Sequence, residues 1–372
     1  MSETFGAQTF RATAVVTLDE MDHVLATLLD HLEEHATVIR SATGARLTSP
    51  FATVDIVRQP EAVHLDVACG SAEILAMIKV FVAEHIFEFA TGVPSIVWSG
   101  DGSADPFPPH FQKLVVAEAF DVTPRMRRVV FACETVASYG GDASYHVRLL
   151  LPPRGRAPVW PSLAADGRMV WPRGEDELVT RVYTIRSVDA GGSRIAVDFV
   201  LHEGNHSPGA GFALNAAPGD VIGILGPGGD GCPDAQRLLL MGDEAALPAI
   251  SRMVESLPPG CAADVVVEVE DEGEEQNIAS RAQVRWTWLH RRGTPAALSD
   301  LLEKALAARL DGSGLAESFI WAGCEQRLAA RLRDRLRASL PDRKGSHRIY
   351  GYWNAGSARE RDQTSPTASD ES

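Results

Sequence analysis

The residues best equipped for chemistry lie in one short stretch, Arg181-Val-Tyr-Thr-Ile-Arg186. Its β-branched and aromatic residues predict a β-strand. Alternation places Arg181 and Tyr183 on one face of that strand and Thr184 and Arg186 on the other. An ordinary half-buried strand rarely carries two arginines, a tyrosine and a threonine. Together they offer a fixed cation, a flat ring and a hydroxyl, which are the groups that a flat, phosphate-bearing cofactor requires.

The composition of the whole chain describes a globular protein. The chain has 372 residues, of which 45% are hydrophobic and 23% are charged, and its formal net charge is −15. The length predicts two or three domains. The negative charge disfavours nucleic acid as a partner, because a phosphate backbone would be repelled. No uninterrupted apolar run reaches ~18 residues, so we expect no membrane span.

Cysteine usage and the first residues indicate a cytoplasmic protein. The five cysteines are scattered and never form a CxxC pair. This pattern favours reduced thiols over disulfides or a cysteine zinc site. The opening Met-Ser-Glu-Thr-Phe-Gly lacks the basic and apolar segments of a signal peptide.

Residues 1–102 form the first predicted domain, an α+β unit. Strands are predicted over 10–16, 52–57 and 62–68, and helices over 20–34 and from 72 onward. Asp19 and Ser71 are the predicted N-caps of the two helices.

The first helix contains His31-Leu-Glu-Glu-His35, which matches the H-x-x-E-H pattern of inverted zinc peptidases. We interpret it as the polar face of an amphipathic helix and predict no protein-bound metal; a zinc peptidase is the alternative.

Residues 108–232 form the second predicted domain. Six short runs at 113–119, 127–132, 146–151, 181–188, 194–201 and 220–225 are rich in strand-forming residues, with glycine, proline and aspartate between them. Six strands with little helix predict a closed antiparallel barrel. The long connection over 158–177 is of a kind that is usually functional or mobile.

Residues 233–356 form the third predicted domain, in which strands alternate with helices. This alternation predicts a parallel sheet whose ligands bind at the carboxyl ends of the strands. The remaining segment, 357–372, is rich in serine, threonine, aspartate and glutamate, and we expect it to be disordered.

A barrel with an Arg-x-Tyr-Thr strand, followed by an α/β domain, resembles the ferredoxin-reductase-like flavoenzymes. Within that class, residues 110–356 resemble the siderophore-interacting proteins, which are FAD-dependent ferric-siderophore reductases. The stretches that carry the resemblance are Thr123-Pro-Arg-Met-Arg-Arg-Val129, His146-Val-Arg-Leu149, Arg181–Arg186, Asp198-Phe-Val-Leu-His202, Pro208-Gly-Ala-Gly-Phe-Ala213, Gly242-Asp-Glu-Ala-Ala-Leu-Pro-Ala-Ile250, Trp321-Ala-Gly323 and Gly351-Tyr-Trp353. Residues 10–98 resemble the uncharacterised bacterial domain DUF2218, which implies a separate folding unit and no particular activity.

The resemblance implies an FAD site on the barrel. Arg181 would pair with the pyrophosphate, since a guanidinium binds phosphate bidentately. Tyr183 would stack on the flavin or its ribityl chain, and Thr184 would lie near flavin N5. The remaining expected FAD contacts are His202, Pro208, Gly209, Ala210, Gly211 and Phe212, the last where the family usually has tryptophan. Arg186 is expected to be a structural pair.

The resemblance also implies a site for NADPH or NADH on the third domain. Gly242, Asp243 and Glu244 occupy the strand-to-helix corner where the nucleotide would bind, although both acids have an alternative role as helix caps. Glu325 would lie near the nicotinamide and Trp353 near the flavin. Arg281, Arg291 and Arg292 are candidates for binding a 2′-phosphate, with solvated surface arginines as the alternative interpretation.

The sequence therefore predicts a multidomain cytoplasmic enzyme that passes electrons from NAD(P)H through FAD to Fe(III) in a ferric siderophore or other chelate. No protein residue is expected to act as catalytic acid or base, because the cofactor carries the chemistry. Asn354-Ala355 replaces basic residues that the family usually has near an anionic chelate. The alternatives are a flavin reductase or electron-transfer flavoprotein with another acceptor, and a non-enzymatic siderophore- or flavin-binding protein.

Overall fold

A computed structural model describes residues 9–33, 35–102, 107–201, 207–311, 315, 317–343 and 345–355. The chain divides into two compact units. The first unit comprises 1–111 and 155–177, and the second comprises 112–154 and 178–372. The predicted disordered segment 357–372 lies outside the described residues, as do His202 and His206. In the described part of the chain, no helix combines the length and the apolar character needed to span a membrane.

The first unit is an antiparallel sheet packed against two helices, as predicted for an α+β domain. Its strands are β1 (Phe10–Thr17), β2 (Thr37–Ser41), β3 (Gly44–Thr48), β4 (Ala52–Arg58), β5 (Val63–Cys69) and β6 (Ser95–Gly100), and its helices are α1 (Met21–Leu32) and α2 (Ala72–Phe89). The strand order is β2-β3-β4-β5-β1-β6. Alternate residues of the sheet pack with Leu25, Leu28, Leu75 and Ile86 of the helices to form one core.

Helix capping in this unit confirms one prediction and corrects another. Ser71 caps α2 by accepting a hydrogen bond from the Ile74 amide at 3.1 Å. Asp19 does not cap α1, because the chain enters this helix through Glu20, which has a left-handed backbone (φ 50°) and no side-chain cap bond. The Asp19 carboxylate lies instead beside Gly92.

Residues 155–177 follow a barrel strand in sequence but fold with the first unit. They contain two two-residue strands, β10 (Ser162–Leu163) and β11 (Met169–Val170). The Trp98 indole donates a hydrogen bond to the Asp166 carbonyl at 3.0 Å. The Met169 amide donates to Glu84 at 3.0 Å, and the Arg168 guanidinium lies 3.7 Å from the centre of the Phe87 ring. The long connection is therefore an ordered part of this unit.

The second unit begins with a closed six-stranded barrel, as predicted. Its strands are β7 (Phe111–Thr123), β8 (Met126–Cys133), β9 (His146–Leu151), β12 (Val179–Asp189), β13 (Arg194–Val200) and β14 (Val221–Gly228), in the order β12-β13-β8-β7-β14-β9. Phe131, Leu149, Ile185 and Phe199 are fully buried inside the barrel. A short helix, α3 (Pro208–Asn215), follows β13 in the chain.

The rest of this unit is a parallel five-stranded sheet with helices. Its elements are β15 (Arg237–Gly242), α4 (Leu247–Ser256), β16 (Ala262–Val269), β17 (Gln283–His290), α5 (Leu301–Leu310), β18 (Phe319–Glu325), α6 (Gln326–Ser339) and β19 (His347–Trp353). The strand order is β17-β16-β15-β18-β19. The order reverses between β15 and β18, so the carboxyl ends of these two strands form the crevice where such sheets bind ligands.

A buried arginine joins the barrel to the parallel sheet. Arg252 of α4 donates hydrogen bonds to the carbonyls of Ile185 at 3.0 Å and Gly141 at 2.9 Å, and a third to the Tyr139 carbonyl. A second link runs from His146 of β9 to the hydroxyl of Tyr352 in β19, at 2.7 Å. Burial lowers the pKa of His146 to about 4, which keeps this ring neutral at pH 7.

Candidate flavin and nucleotide site

Arg181 has no ion-pair partner among the described residues, and its one hydrogen bond goes to the Thr180 carbonyl at 2.8 Å. It is half-buried on β12. Nearby barrel arginines are engaged: Arg127 pairs with Asp121, and Arg128 pairs with Asp198. Arg181 is therefore available to bind an external anion such as a phosphate.

Tyr183 lies between the barrel and the start of α3. Its ring centre is 4.5 Å from that of Phe199. A Cβ atom added at Gly209 would lie 1.8 Å from the Tyr183 hydroxyl. Only glycine permits this close approach of helix and strand. Burial raises the pKa of Tyr183 to about 12, although the nearby Arg181 lowers it, so the hydroxyl stays protonated at neutral pH.

The predicted phosphate-binding turn is the first turn of α3. Ser207 caps this helix by accepting a hydrogen bond from the Ala210 amide at 3.3 Å, and Pro208 occupies the first helical position. Gly209 and Gly211 follow with no bulky side chains. Phe212 is half-buried and packs against the barrel-core residues Phe131 and Phe199.

The opposite face of β12 is buried at Thr184 and Arg186. Thr184 is buried, with 5% of its surface exposed. Arg186 is also buried and pairs bidentately with Glu255 of α4 at 2.8 and 2.7 Å. Asp198, which Arg128 holds, lies 4.0 Å from the Arg186 Nε. The expected structural role of Arg186 is confirmed, and its effect is to fix β12 against α4.

The sheet crevice depends on two glycines that face each other. A Cβ at Gly242 would lie 2.6 Å from the Ala246 Cβ and 2.8 Å from the Gly323 carbonyl oxygen. A Cβ at Gly323 would lie 3.0 Å from the Tyr352 ring. These two neighbouring strand ends therefore have no room for a side chain at either position. Gly323 was not among the predicted site residues, although the small pair Ala322-Gly323 at a strand end was a usable signal.

Asp243 lies in the turn that leads into α4 but does not cap this helix, whose N-cap residue is Ala246 and has no side-chain cap bond. Its carboxylate accepts hydrogen bonds from the Ala245 amide at 3.0 Å and the Trp353 indole at 2.7 Å. Burial, assisted by the neighbouring Glu244, raises the pKa of Asp243 to about 7. The predicted residue Trp353 is therefore held at the crevice by Asp243.

Glu244 pairs with Arg291, with Oε2 to Nη1 at 3.0 Å and a second contact from Oε1 to Nη2. Both side chains are buried, at 7% and 4% exposure. Glu268 contacts the same guanidinium at 3.5 Å. Arg291 therefore belongs to an internal ion-pair cluster. Arg292 is exposed and pairs with Glu272 at 2.6 Å.

Glu325 ends β18 at the crevice and is 3% exposed. Its Oε2 accepts hydrogen bonds from the amides of Arg327 at 2.7 Å and Leu328 at 3.1 Å, which caps α6. Its Oε1 is buried with no partner within the described part of the chain. Since a buried carboxylate oxygen without a partner is costly, Oε1 is placed to accept a hydrogen bond from a ligand.

Three family models match the chain. Residues 115–231 match the siderophore-interacting FAD-binding domain, 235–356 match the siderophore-interacting protein model, and 13–99 match DUF2218, an uncharacterised protein conserved in bacteria.

A solved structure of a siderophore utilization protein from T. fusca is 32% identical, with a TM-score of 0.56, over 68% of this chain and 95% of that one. The siderophore-interacting protein SipS from Aeromonas hydrophila is 24% identical with a TM-score of 0.53, over 67% of this chain and 93% of that one, and supports the fold alone.

Curated relatives include enzymes that act on ferric siderophores. The ferric vibriobactin reductase ViuB of Vibrio cholerae is 31% identical over 176 residues, which is 46% of this chain and 63% of the relative. The ferric acinetobactin reductase of Acinetobacter baumannii is 28% identical over 185 residues, which is 49% of this chain and 63% of the relative. The chain thus spans just under two thirds of these relatives. Taken with the family models and the T. fusca structure, these similarities show that the chain belongs to the siderophore-interacting protein family.

Proposed function

We propose that this protein is an NAD(P)H-dependent ferric-siderophore reductase that works through FAD in the cytoplasm. The proposal joins the family, two of whose named relatives are ferric-siderophore reductases, to a site whose residues fit FAD and a nicotinamide nucleotide. FAD would accept a hydride equivalent from the nucleotide and deliver single electrons to Fe(III).

The observation that carries the proposal is that Arg181 and Tyr183 lie on one strand and that Tyr183 contacts the start of α3. Arg181 is a half-buried cation without a carboxylate partner in the described chain, and it would bind the FAD pyrophosphate. Gly209 lets the N-terminus of α3 approach Tyr183, and this helix end supplies backbone N–H groups for the same phosphates. Tyr183 would position the flavin with its neutral phenol.

The crevice between β15 and β18 would bind the nicotinamide nucleotide. Gly242 and Gly323 keep the strand ends clear of side chains. Glu325 would accept a hydrogen bond from the carboxamide through Oε1, because Oε2 already caps α6. Asp243 would act indirectly by holding Trp353 at the crevice.

Iron is the substrate in this proposal. Fe(III) binds hard oxygen donors of a siderophore more strongly than Fe(II) does, so reduction would loosen the chelate and release the metal. This electron transfer would need no acid or base from the protein, whose role would be to position the cofactor and exclude water.

An absorbance experiment tests the proposal. Purified protein should carry an oxidised flavin spectrum that bleaches on anaerobic addition of NADPH or NADH. Adding a ferric siderophore should then restore the oxidised spectrum and produce Fe(II), detected with a ferrous-specific chelator. Bleaching without reoxidation by any ferric chelate would assign the protein to the flavin reductases with another acceptor. Protein without flavin that cannot be reconstituted with FAD would overturn the proposal.

A further inference from the structure

We propose that the first unit binds a divalent transition-metal ion through His31, His35 and His85. The ligand nitrogens of these three residues all lie within 4.8 Å of one another. Among the described residues this is the only group of three or more potential metal ligands that converges in this way. The site stands on its own and does not depend on the proposed reductase activity.

The helix arrangement explains the convergence. His31 belongs to the last turn of α1, and His35 follows one turn later, where its amide still bonds the Leu32 carbonyl at 3.1 Å. Residues four apart on a helix share a face. His85 comes from α2, which packs beside α1, and its ring centre is 5.0 Å from that of His31. The third ligand is 50 residues away in sequence, so no spacing rule reveals it.

The tautomer of His85 suits metal binding. Its Nδ1 lies 2.7 Å from the Phe81 carbonyl oxygen. Because a carbonyl oxygen can only accept a hydrogen bond, Nδ1 must carry the proton that is donated. In the neutral ring, Nε2 then keeps its lone pair and can bind a metal ion. Metal-binding histidines characteristically have their other nitrogen held in this way. Phe81 also packs on the His85 ring at 4.1 Å, which further fixes its orientation.

The donor set selects the class of ion. The described carboxylates Asp30 and Glu33 are already paired with Arg40, at 2.6 and 2.8 Å. An all-imidazole set suits zinc and its first-row neighbours and does not suit magnesium or calcium, which require oxygen ligands. Zinc–imidazole bonds of about 2.1 Å place tetrahedral ligand atoms about 3.4 Å apart, so small side-chain rotations would close the site.

A cavity of about 230 Å³ adjoins the cluster. Its lining includes His35 and His85 together with apolar residues such as Leu28, Leu32, Phe51 and Phe81. Three protein ligands leave the fourth position of a tetrahedral ion open. This fourth position would be open to water or to a small added ligand such as azide.

Cobalt(II) titration of the full chain, first treated with a chelator, tests the site. The expected result is one Co²⁺ per chain with the intense visible bands of four-coordinate cobalt, displaced by one equivalent of Zn²⁺ and unaffected by Mg²⁺. Added azide should change these bands if the fourth position is open; unchanged bands would refute that part of the proposal. Absence of stoichiometric binding, or a thiolate charge-transfer band, would overturn the site itself.

Three variants locate the ion. His31→Gln and His85→Gln should each weaken Co²⁺ binding by more than about tenfold, since even loss of an outer-sphere partner typically costs 10–100-fold. His23→Gln is the matched control, because His23 is exposed on the same helix, eight residues before His31, and does not belong to the cluster. Binding that survives both ligand substitutions would refute the assignment. If His85→Gln fails to fold by circular dichroism, His31→Gln decides the matter.

Discussion

At the scale of single residues, Arg181 carries the most specific expectation. Arg181→Ala should weaken FAD binding about 10- to 100-fold, since a charge-assisted hydrogen-bonding group contributes roughly 1.5–3 kcal/mol. Flavin fluorescence on titration of the apoprotein with FAD measures this directly. The matched control is Arg194→Ala, because Arg194 is an exposed barrel arginine whose nearest carboxylate, on Glu118, is 3.9 Å away. Equal affinity for wild type and Arg181→Ala would contradict the assignment.

The raised pKa of Asp243 predicts that the stability of the folded protein depends on pH. Its pKa is raised from 3.8 to about 7 in the folded protein, mainly by burial. Folding therefore favours its protonated form. The resulting stability is fully present below the unfolded pKa and is lost as the pH rises through the folded value. Asp243→Asn should then gain stability relative to wild type between pH 5 and pH 8, on the order of 1 kcal/mol or more.

Thermal unfolding of wild type and Asp243→Asn at both pH values measures that difference. Asparagine can still accept the hydrogen bond from Trp353, which limits other effects of the substitution. A difference in Tm that does not change with pH would show that Asp243 does not titrate in this range.

At the scale of elements, Arg291 was a candidate for binding a 2′-phosphate, but the structure places it in the ion-pair cluster at the ends of β15, β16 and β17. Arg291→Met should destabilise the protein by about 3–5 kcal/mol, because it leaves the buried carboxylates of Glu244 and Glu268 without their cation. Arg292→Met should change stability by less than about 0.5 kcal/mol, since Arg292 is exposed. Urea unfolding of the two variants compares neighbouring positions directly. Similar stabilities would contradict the structural role of Arg291.

Most elements of this fold follow from the sequence, and the exceptions have physical reasons. The strands of the barrel and of the parallel sheet can be predicted from their alternating or continuous apolar runs. The hairpin of β2 and β3 was not predicted because β2 exposes four of its five residues and shows no alternation. The half-buried Phe212 ring packs against the barrel core, and Glu244 forms an ion pair with Arg291. Both outcomes depend on contacts between residues far apart in the chain.

The candidate site also contains some features that follow from local sequence patterns and others that depend on long-range contacts. The Arg181 strand, the Pro208 turn and the glycine-led corner at Gly242 were predictable, because each is a local pattern of residue types. Arg291 and Arg292 are adjacent in sequence, yet one is buried and the other exposed. His85 joins His31 and His35 only through the packing of α1 and α2. No local pattern contains such information.

At the scale of the whole molecule, the packing of residues 155–177 with the first unit can be tested at Gly167. This residue has φ +93°, and an added Cβ would lie 3.0 Å from the Lys79 carbonyl oxygen and 3.1 Å from the Trp98 indole nitrogen. Gly167→Ala should destabilise the first unit by more than about 1 kcal/mol, through backbone strain and crowding together.

Gly155→Ala is the control for that substitution. Gly155 also has a positive φ, +78°, but an added Cβ there meets nothing within 4 Å. The Gly155→Ala variant therefore measures the effect of backbone strain in the absence of crowding. Hydrogen exchange of the amides in β5 and β6 would measure both variants. Equal protection of these amides from exchange in the Gly167→Ala and Gly155→Ala variants would show that residues 155–177 do not pack on this unit as described.

Residues 155–177 belong to the first unit but lie in sequence between two segments of the second unit. This arrangement has a consequence for protein engineering. The strands on either side of it, β9 and β12, are antiparallel neighbours in which Leu151 pairs with Val179. Antiparallel neighbours can be joined by a two-residue turn. A short turn that joins 151 to 179 would therefore preserve the pairing of β9 with β12. Because each unit consists of two separate segments of the chain, either unit can be produced alone only if its two segments are joined directly in this way.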